Sequence, residues 1–256
     1  MEGAHVANPN SPEVFQTYLE RVAGVALPDF HIFLRAAALA TVEPRELLFD
    51  AGSTDRRFYF ILDGVLSVAT SDRPGRDWIR RFVGPGELLS SVPSLAHPVP
   101  RAAAIFVGLD PDAEGMGPSA YMHYSARAIT RVRARYVDIA TFWALSNRHR
   151  EWQQLALVAS IASSALQEKR ERELLTLNAE ERYRVLVRER PELVELVPQK
   201  DLARYIGVTP VAMSRIVSRV RHGNATESAR RPLRPSRSTS EAATSDGLGQ
   251  RAVAQR

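Results

Sequence analysis

Apolar positions along this chain change period more than once, and each change marks a different kind of element. From Pro12 to about Ala40, Val14, Phe15, Tyr18, Leu19 and Val22, then Ile32, Phe33 and Leu39, recur at helical spacing. Leu27-Pro28-Asp29 divides them into two helices. From Thr41 to about Leu95 the period becomes that of strands. Phe58-Tyr59-Phe60-Ile61-Leu62 and Val65-Leu66-Ser67-Val68-Ala69 flank Asp63-Gly64, which predicts a hairpin around a two-residue turn. Pro74-Gly75-Arg76 then turns into a strand over Trp78-Ile79-Arg80-Arg81-Phe82-Val83, closed by Gly84-Pro85-Gly86-Glu87. Residues 106–124, with Gly108, Asp110-Pro111-Asp112, Gly115, Gly117 and Pro118, have the composition of a long loop. Ile129 to Ile139 alternates again, with Arg131, Arg133 and Arg135 on one side and Val132, Ala134 and Tyr136 on the other. Short strands with frequent glycine turns predict a β-barrel or jelly roll.

Helical period returns at Thr141 and is expected to run unbroken to Leu177. Trp152, Leu155, Ala159, Ala162 and Leu166 follow one another at 3-4-3-4 spacing, the seam of a two-stranded coiled coil. A helix of about 50 Å, at ~1.5 Å per residue, cannot bury a face against one small barrel, so the seam predicts a homodimer. Asn178 and Glu181 then have the spacing of a capping box. Between Gln199 and Ser218, Leu202 and Ile206 share one helical face, Gly207 can take the positive φ that ends a helix, and Thr209-Pro210 can cap and open the next. Met213 and Ile216 face back toward the first helix, and Ala203 lets the two approach. Two short helices, a glycine turn and one apolar seam form a helix–turn–helix. Its outer face keeps Ser214, Arg215, Ser218 and Arg219, with no acid among them.

Charge strengthens that picture. The 256 residues carry a net +5, yet residues 198–256 hold eleven Lys/Arg against four Asp/Glu, a net of +7, which leaves −2 for residues 1–197. A basic C-terminal part on a near-neutral body points to a polyanion, with nucleic acid the first candidate. Hydrophobic content of 45% and charged content of 25% are those of a soluble globular protein. No apolar run reaches the ~20 residues that span a bilayer. Glu2, His5 and Asn8 do not make the basic-then-apolar start of a signal peptide, so the expected location is the cytoplasm, away from membranes. The absence of cysteine excludes thiolate-held iron–sulfur clusters and zinc–cysteine sites.

Two stretches carry a resemblance. Pro198-Gln199-Lys200-Asp201-Leu202-Ala203, Gly207-Val208-Thr209-Pro210 and Ser214-Arg215-Ile216 resemble the helix–turn–helix of the Crp/Fnr family of bacterial transcription regulators. Gly52, the run Phe58 to Gly64 and Gly84-Pro85-Gly86-Glu87 resemble that family's cyclic-nucleotide-binding domain, in the family's order. The resemblance implies an α+β protein. Residues 1–12 would be a disordered N-terminus, 13–140 a β jelly-roll sensor domain, 141–177 a dimerisation helix, 178–223 the helix–turn–helix domain and 224–256 a disordered basic tail. It implies double-stranded DNA as partner, with Gln199, Lys200, Thr209, Pro210, Val211, Ser214, Arg215, Ser218 and Arg219 facing it, and RNA polymerase as a further partner. Arg215 matches the family's base-reading arginine, suited to a guanine. Where the family commonly places a Glu that reads a base, this chain has Val211, so its target should differ.

The corresponding ligand pocket would involve Glu87, Ser90, Ser91, Arg101 and Ala102. Family members that bind nucleotides carry Gly-Glu where this chain has Ser90-Ser91, and Arg followed by Ser or Thr where it has Arg101-Ala102 or, in another register, Met122-His123. A serine supplies neither the charged acceptor for the ribose nor the bare backbone for phosphate. Tight binding of cyclic AMP or cyclic GMP is therefore not expected. Neither haem nor a metal has a candidate site: the six histidines never fall at ligand spacing, and no nucleophile elbow or Walker loop occurs. An enzyme is not expected. The sequence leaves two readings, a sequence-specific regulator and a small-molecule- or protein-binding module whose head no longer reads DNA.

Overall fold

The computed structural model describes residues 11–53, 55–72, 75–90, 122 and 124–230, with side chains to residue 222. Ser11 caps helix α1 (Pro12–Ala23) by accepting from Val14 N at 3.2 Å, and Gly24 ends it at φ 72°. The turn at Pro28-Asp29 separates it from α2 (Phe30–Ala36), as the sequence predicts, but α2 stops short of Ala40, and Leu39, read as helical, lies in a strand. Among the described residues eight strands follow: β1 (Ala38–Val42), β2 (Leu47–Phe49), β3 (Arg57–Asp63), β4 (Leu66–Ser71), β5 (Asp77–Val83), β6 (Leu88–Leu89), β7 (Ser125–Ala128) and β8 (Val132–Asp138). They form two antiparallel four-stranded sheets, ordered β1-β8-β3-β6 and β2-β7-β4-β5. Val42, Phe49, Tyr59, Ile61, Leu66, Val68, Val83 and Ala126 are buried together as the core of this roll.

The strands around Asp63-Gly64 form as expected, but they do not pair. β3 joins β8 and β6, whereas β4 joins β5 and β7, so the chain changes sheet at Gly64. The cause lies far along the chain, in the turn between β7 and β8. Val65 N donates to Thr130 Oγ1 at 2.9 Å, and Val65 O accepts from Ile129 N at 2.8 Å. Gly64 has φ 83°, and a Cβ there would stand 2.1 Å from Arg131 O, so only glycine fits this corner. The hairpin leading into Trp78–Val83 does form, as β4–β5.

The single helix expected from Thr141 is two helices, α3 (Ile139–Ser146) and α4 (Arg150–Thr176). Folding back at residues 147–149 brings the Phe142 ring against Trp152, at 6.0 Å in a T-shaped pair, while Gln153 Nε2 donates to Ser146 O at 2.7 Å. His149 Nε2 meets Asp29 Oδ2 at 3.0 Å across the break. Burying Phe142, Leu145 and Trp152 with Phe15, Phe30 and Phe33 repays the interrupted helix. The 27 residues of α4 span about 40 Å.

The described residues beyond α4 form four helices: α5 (Ala179–Glu189), α6 (Pro191–Leu196), α7 (Gln199–Ile206) and α8 (Pro210–Arg230). The capping box is present, with Asn178 Oδ1 accepting from Glu181 N at 3.1 Å and Glu181 Oε2 from Asn178 N at 2.8 Å. α8 continues to Arg230, past the domain end at 223 expected from the sequence. Of the termini read as disordered, 1–12 and 224–256, Pro12 opens α1 and residues 224–230 lie in α8, whereas residues 1–10 and 231–256 lie outside the described residues, as does most of the long loop at 106–124.

Candidate nucleic-acid interface

The helix–turn–helix is built from its apolar side outward. Leu202, Ala203, Ile206, Met213, Ile216 and Val220 are buried together with Tyr183 and Leu186 of α5. Gly207, at φ 84°, lets both its own N–H and that of Val208 reach Ala203 O, at 2.9 and 3.0 Å. Thr209 Oγ1 accepts from Ala212 N at 3.2 Å, and Pro210 takes the first position of α8. Asp201 is buried and pairs with Arg204 at 3.2 Å.

With the apolar side buried, Gln199, Lys200, Thr209, Pro210, Val211, Ser214, Arg215, Ser218 and Arg219 all lie exposed. Gln199 Nε2 donates to Ser214 Oγ at 3.3 Å, and Ser214 Oγ donates to Pro210 O at 3.2 Å, which ties the starts of α7 and α8 together. Val211 is 64% exposed at the opening of α8, whose first turn holds no acid. Arg219 is held by a charged partner within the chain: its Nε donates to Glu180 Oε2 at 2.7 Å. The hydrogen bonds from Arg219 and Arg184 hold the Glu180 carboxyl below its ordinary range.

Sequence reasoning missed how the end of α7 is held. Arg182 Nε donates to Ile206 O at 3.0 Å and its Nη1 to Leu177 O at 2.6 Å, while Arg170 Nη2 donates to Tyr205 O. Cations on the last carbonyls of a helix also oppose its dipole. No spacing in the sequence marks these arginines out among the many others.

The expected dimer seam divides. Trp152 is completely buried, with Nε1 donating to Pro28 O at 2.8 Å and its ring 4.8 Å from Phe33. Leu155 is buried in the same cluster. Both therefore belong to the chain's own core and offer no surface to a second chain, because α1 and α2 cover α4 at these positions. Ala159 is half-buried, and Ala162 and Leu166 are exposed. The opposite face carries Leu157 and Ile161, each 60% exposed, and Leu175 at 78%. Of the expected ligand residues, Glu87 Oε1 pairs with Arg190 Nη2 at 3.2 Å and Ser90 O accepts from Tyr124 Oη at 2.5 Å. The acid is thus committed to the helical part. Ser91, Arg101 and Ala102 lie outside the described residues.

Among the described residues no group of His, Asp or Glu side chains is placed to hold a metal. No helix there is long and apolar enough to cross a membrane.

An antiparallel roll that feeds a long helix and then a helix–turn–helix is the fold that the resemblance to the Crp/Fnr family implies. Comparison with solved structures agrees. FixK2 from Bradyrhizobium japonicum matches with a TM-score of 0.58 at 15% identity, over 73% of this chain and 86% of that one. A cyclic nucleotide-binding domain containing protein from Listeria monocytogenes matches at 0.54 and 15% identity, over 82% and 90%. The c-di-GMP responsive global regulator CLP of Xanthomonas campestris matches at 0.53 and 14% identity, over 76% and 91%. At these identities the likeness is one of fold. No family model matches the chain, and neither does any curated protein.

Proposed function

We propose that this chain is a dimeric, sequence-specific DNA-binding transcription regulator of the Crp/Fnr type, acting in the cytoplasm and not gated by tight binding of cyclic AMP or cyclic GMP. The observation that carries the reading is the helix–turn–helix itself. Its apolar side, from Leu202 to Ile216, is buried, and its polar and basic side, from Gln199 and Lys200 to Ser214 and Arg215, is exposed. Lys200 and the N-terminus of α8 supply phosphate contacts that set register. Arg215 supplies two parallel donors for a guanine edge, and Val211 packs where a thymine methyl can meet it. The second chain docks on the outward face of α4, against Leu157, Ile161 and Leu175, since Trp152 and Leu155 on the inward face are already covered.

Selection of bound duplexes from a random pool, with and without cyclic AMP, tests this. The expected result is an enriched pair of half-sites ~34–36 Å apart, the separation two heads on a two-fold axis can reach. The enrichment should not depend on the nucleotide. Binding with no enriched sequence that salt removes entirely would instead identify a head that no longer reads DNA, the other reading the sequence leaves open.

A further inference from the structure

The reading head meets both the roll and α4 around one side chain, Tyr205, next to the last residue of α7. On one side the Phe82 ring of β5 lies 5.2 Å from the Tyr205 ring, inclined at 48°. The Arg170 guanidinium of α4 also lies over the tyrosine, its central carbon 4.0 Å from the ring centroid. The same guanidinium donates to the Tyr205 carbonyl through Nη2. Its Nε and Nη1 are buried with no hydrogen-bond partner among the described residues, although Nη1 comes within 3.6 Å of Glu173 Oε2. A cation withdrawn from water binds a ring more strongly than an exposed one, and its unmet N–H groups are costly. Arg170 is thus held by this site rather than spread over the surface.

Further contacts join the same three parts. Lys169 of α4 pairs with Glu189 of α5. Glu87, in the turn after β5, pairs with Arg190 at 3.2 Å. Val65, Ala69, Ile79 and Phe82 of the roll are buried in one cluster with Leu193, Leu202 and Ile206 of the head.

None of these contacts covers Gln199, Lys200, Val211 or Arg215, which remain exposed. The joint does not block the reading face. It fixes the direction in which the head points from α4. In a two-fold dimer paired through α4, that direction sets how far apart the two α8 helices stand. We propose that Tyr205, held by Phe82 and Arg170, is the positioning joint that determines which half-site spacing the protein accepts. The inference rests on the dimeric DNA-binding reading above.

The test uses the full chain and duplexes enriched by the wild-type protein from a random pool, copies with base pairs inserted at the centre, and a duplex holding one half-site. The wild type should prefer the enriched spacing by about tenfold or more, and Arg170→Met should reduce that to about threefold or less, a change of the size usual for coupled sites. Affinity for the single half-site should stay unchanged, and Arg170→Lys, which keeps a cation and a donor, should restore part of the preference. If Arg170→Met does not unfold cooperatively, Glu87→Gln, at a half-exposed pair joining roll and head, should show the same loosening at smaller size. Retention of the wild-type spacing preference by a folded variant would overturn the proposal. So would a loss of half-site affinity equal to the loss of preference, which marks a merely structural role. A wild-type protein that enriches no sequence overturns the regulator reading itself, before any variant is made.

Discussion

The two faces of α4 carry similar residues and have opposite fates. On the inward face Trp152 and Leu155 are sealed by α1, α2 and α3 of their own chain. On the outward face Leu157 and Ile161 meet solvent over more than half their surface. A heptad-like spacing shows that a helix has an apolar face; it does not show whose face will cover it. The head repeats the contrast with charge. Arg219 is already paired with Glu180, whereas Arg215, four residues earlier, is left exposed. Side chains already committed within the chain serve folding, and those left open are available to a partner.

The strongest way to break this contrast is at Trp152. Trp152→Ala removes a completely buried ring and its hydrogen bond, and should cost about 3–5 kcal/mol of stability. Denaturant unfolding measures this, and the loss should be the same at every protein concentration. A concentration-dependent loss would put Trp152 back on a subunit seam. The complementary change, Leu157→Ser with Ile161→Ser, should leave protomer packing alone and weaken dimerisation by about 3 kcal/mol, over a hundredfold in Kd, at ~1.5–3 kcal/mol for each apolar side chain buried. Sedimentation across a dilution series decides it. A dimer that is indifferent to both substitutions pairs through some other surface.

In the head the open residue should matter more than the tied one. Arg215→Ala is expected to cost about 1–3 kcal/mol of specific DNA binding and to relax one position in each half-site. Quantitative binding to an enriched duplex and to its single-base variants reads both effects. If all sequences weaken equally, Arg215 touches phosphate and not a base.

Legibility in the sequence follows the reach of the interactions. The helix–turn–helix was plain because Gly207, Thr209, Pro210 and the seam from Leu202 to Ile216 act on one another within twenty residues. The capping box at Asn178 and Glu181 is local in the same way. The partner of β3 was not legible. Asp-Gly is a true local turn signal, but residues 129–132 decide where the chain goes after it. The break at residues 147–149 has no proline or glycine to announce it, and it is imposed by aromatic packing with α1 and α2. Glu87 looked like part of a ligand site because its turn does. Its partner Arg190 lies about a hundred residues on, in a segment with no visible link to it.

Arg219 gives the smallest and finest test of the contrast. The Glu180 carboxyl is held below its ordinary value first by the hydrogen bond from Arg219, then by that from Arg184, with desolvation acting the other way. A lowered folded-state value means that the pair's stabilisation is complete above the ordinary carboxylate range. It is lost as pH falls through the lowered one. Arg219→Ala should therefore raise the Glu180 midpoint toward the ordinary range without reaching it, because Arg184 remains at 2.9 Å. Carbon-detected NMR titration of the glutamate carboxyls measures the shift directly. Adding an enriched duplex to the wild-type protein discriminates further. If Arg219 stays with Glu180 on DNA, the midpoint does not move, and Arg219 shapes the head without contacting the operator. If it turns to a phosphate, the midpoint rises as it does in Arg219→Ala, and the tied arginine proves to be a reserve contact released by binding.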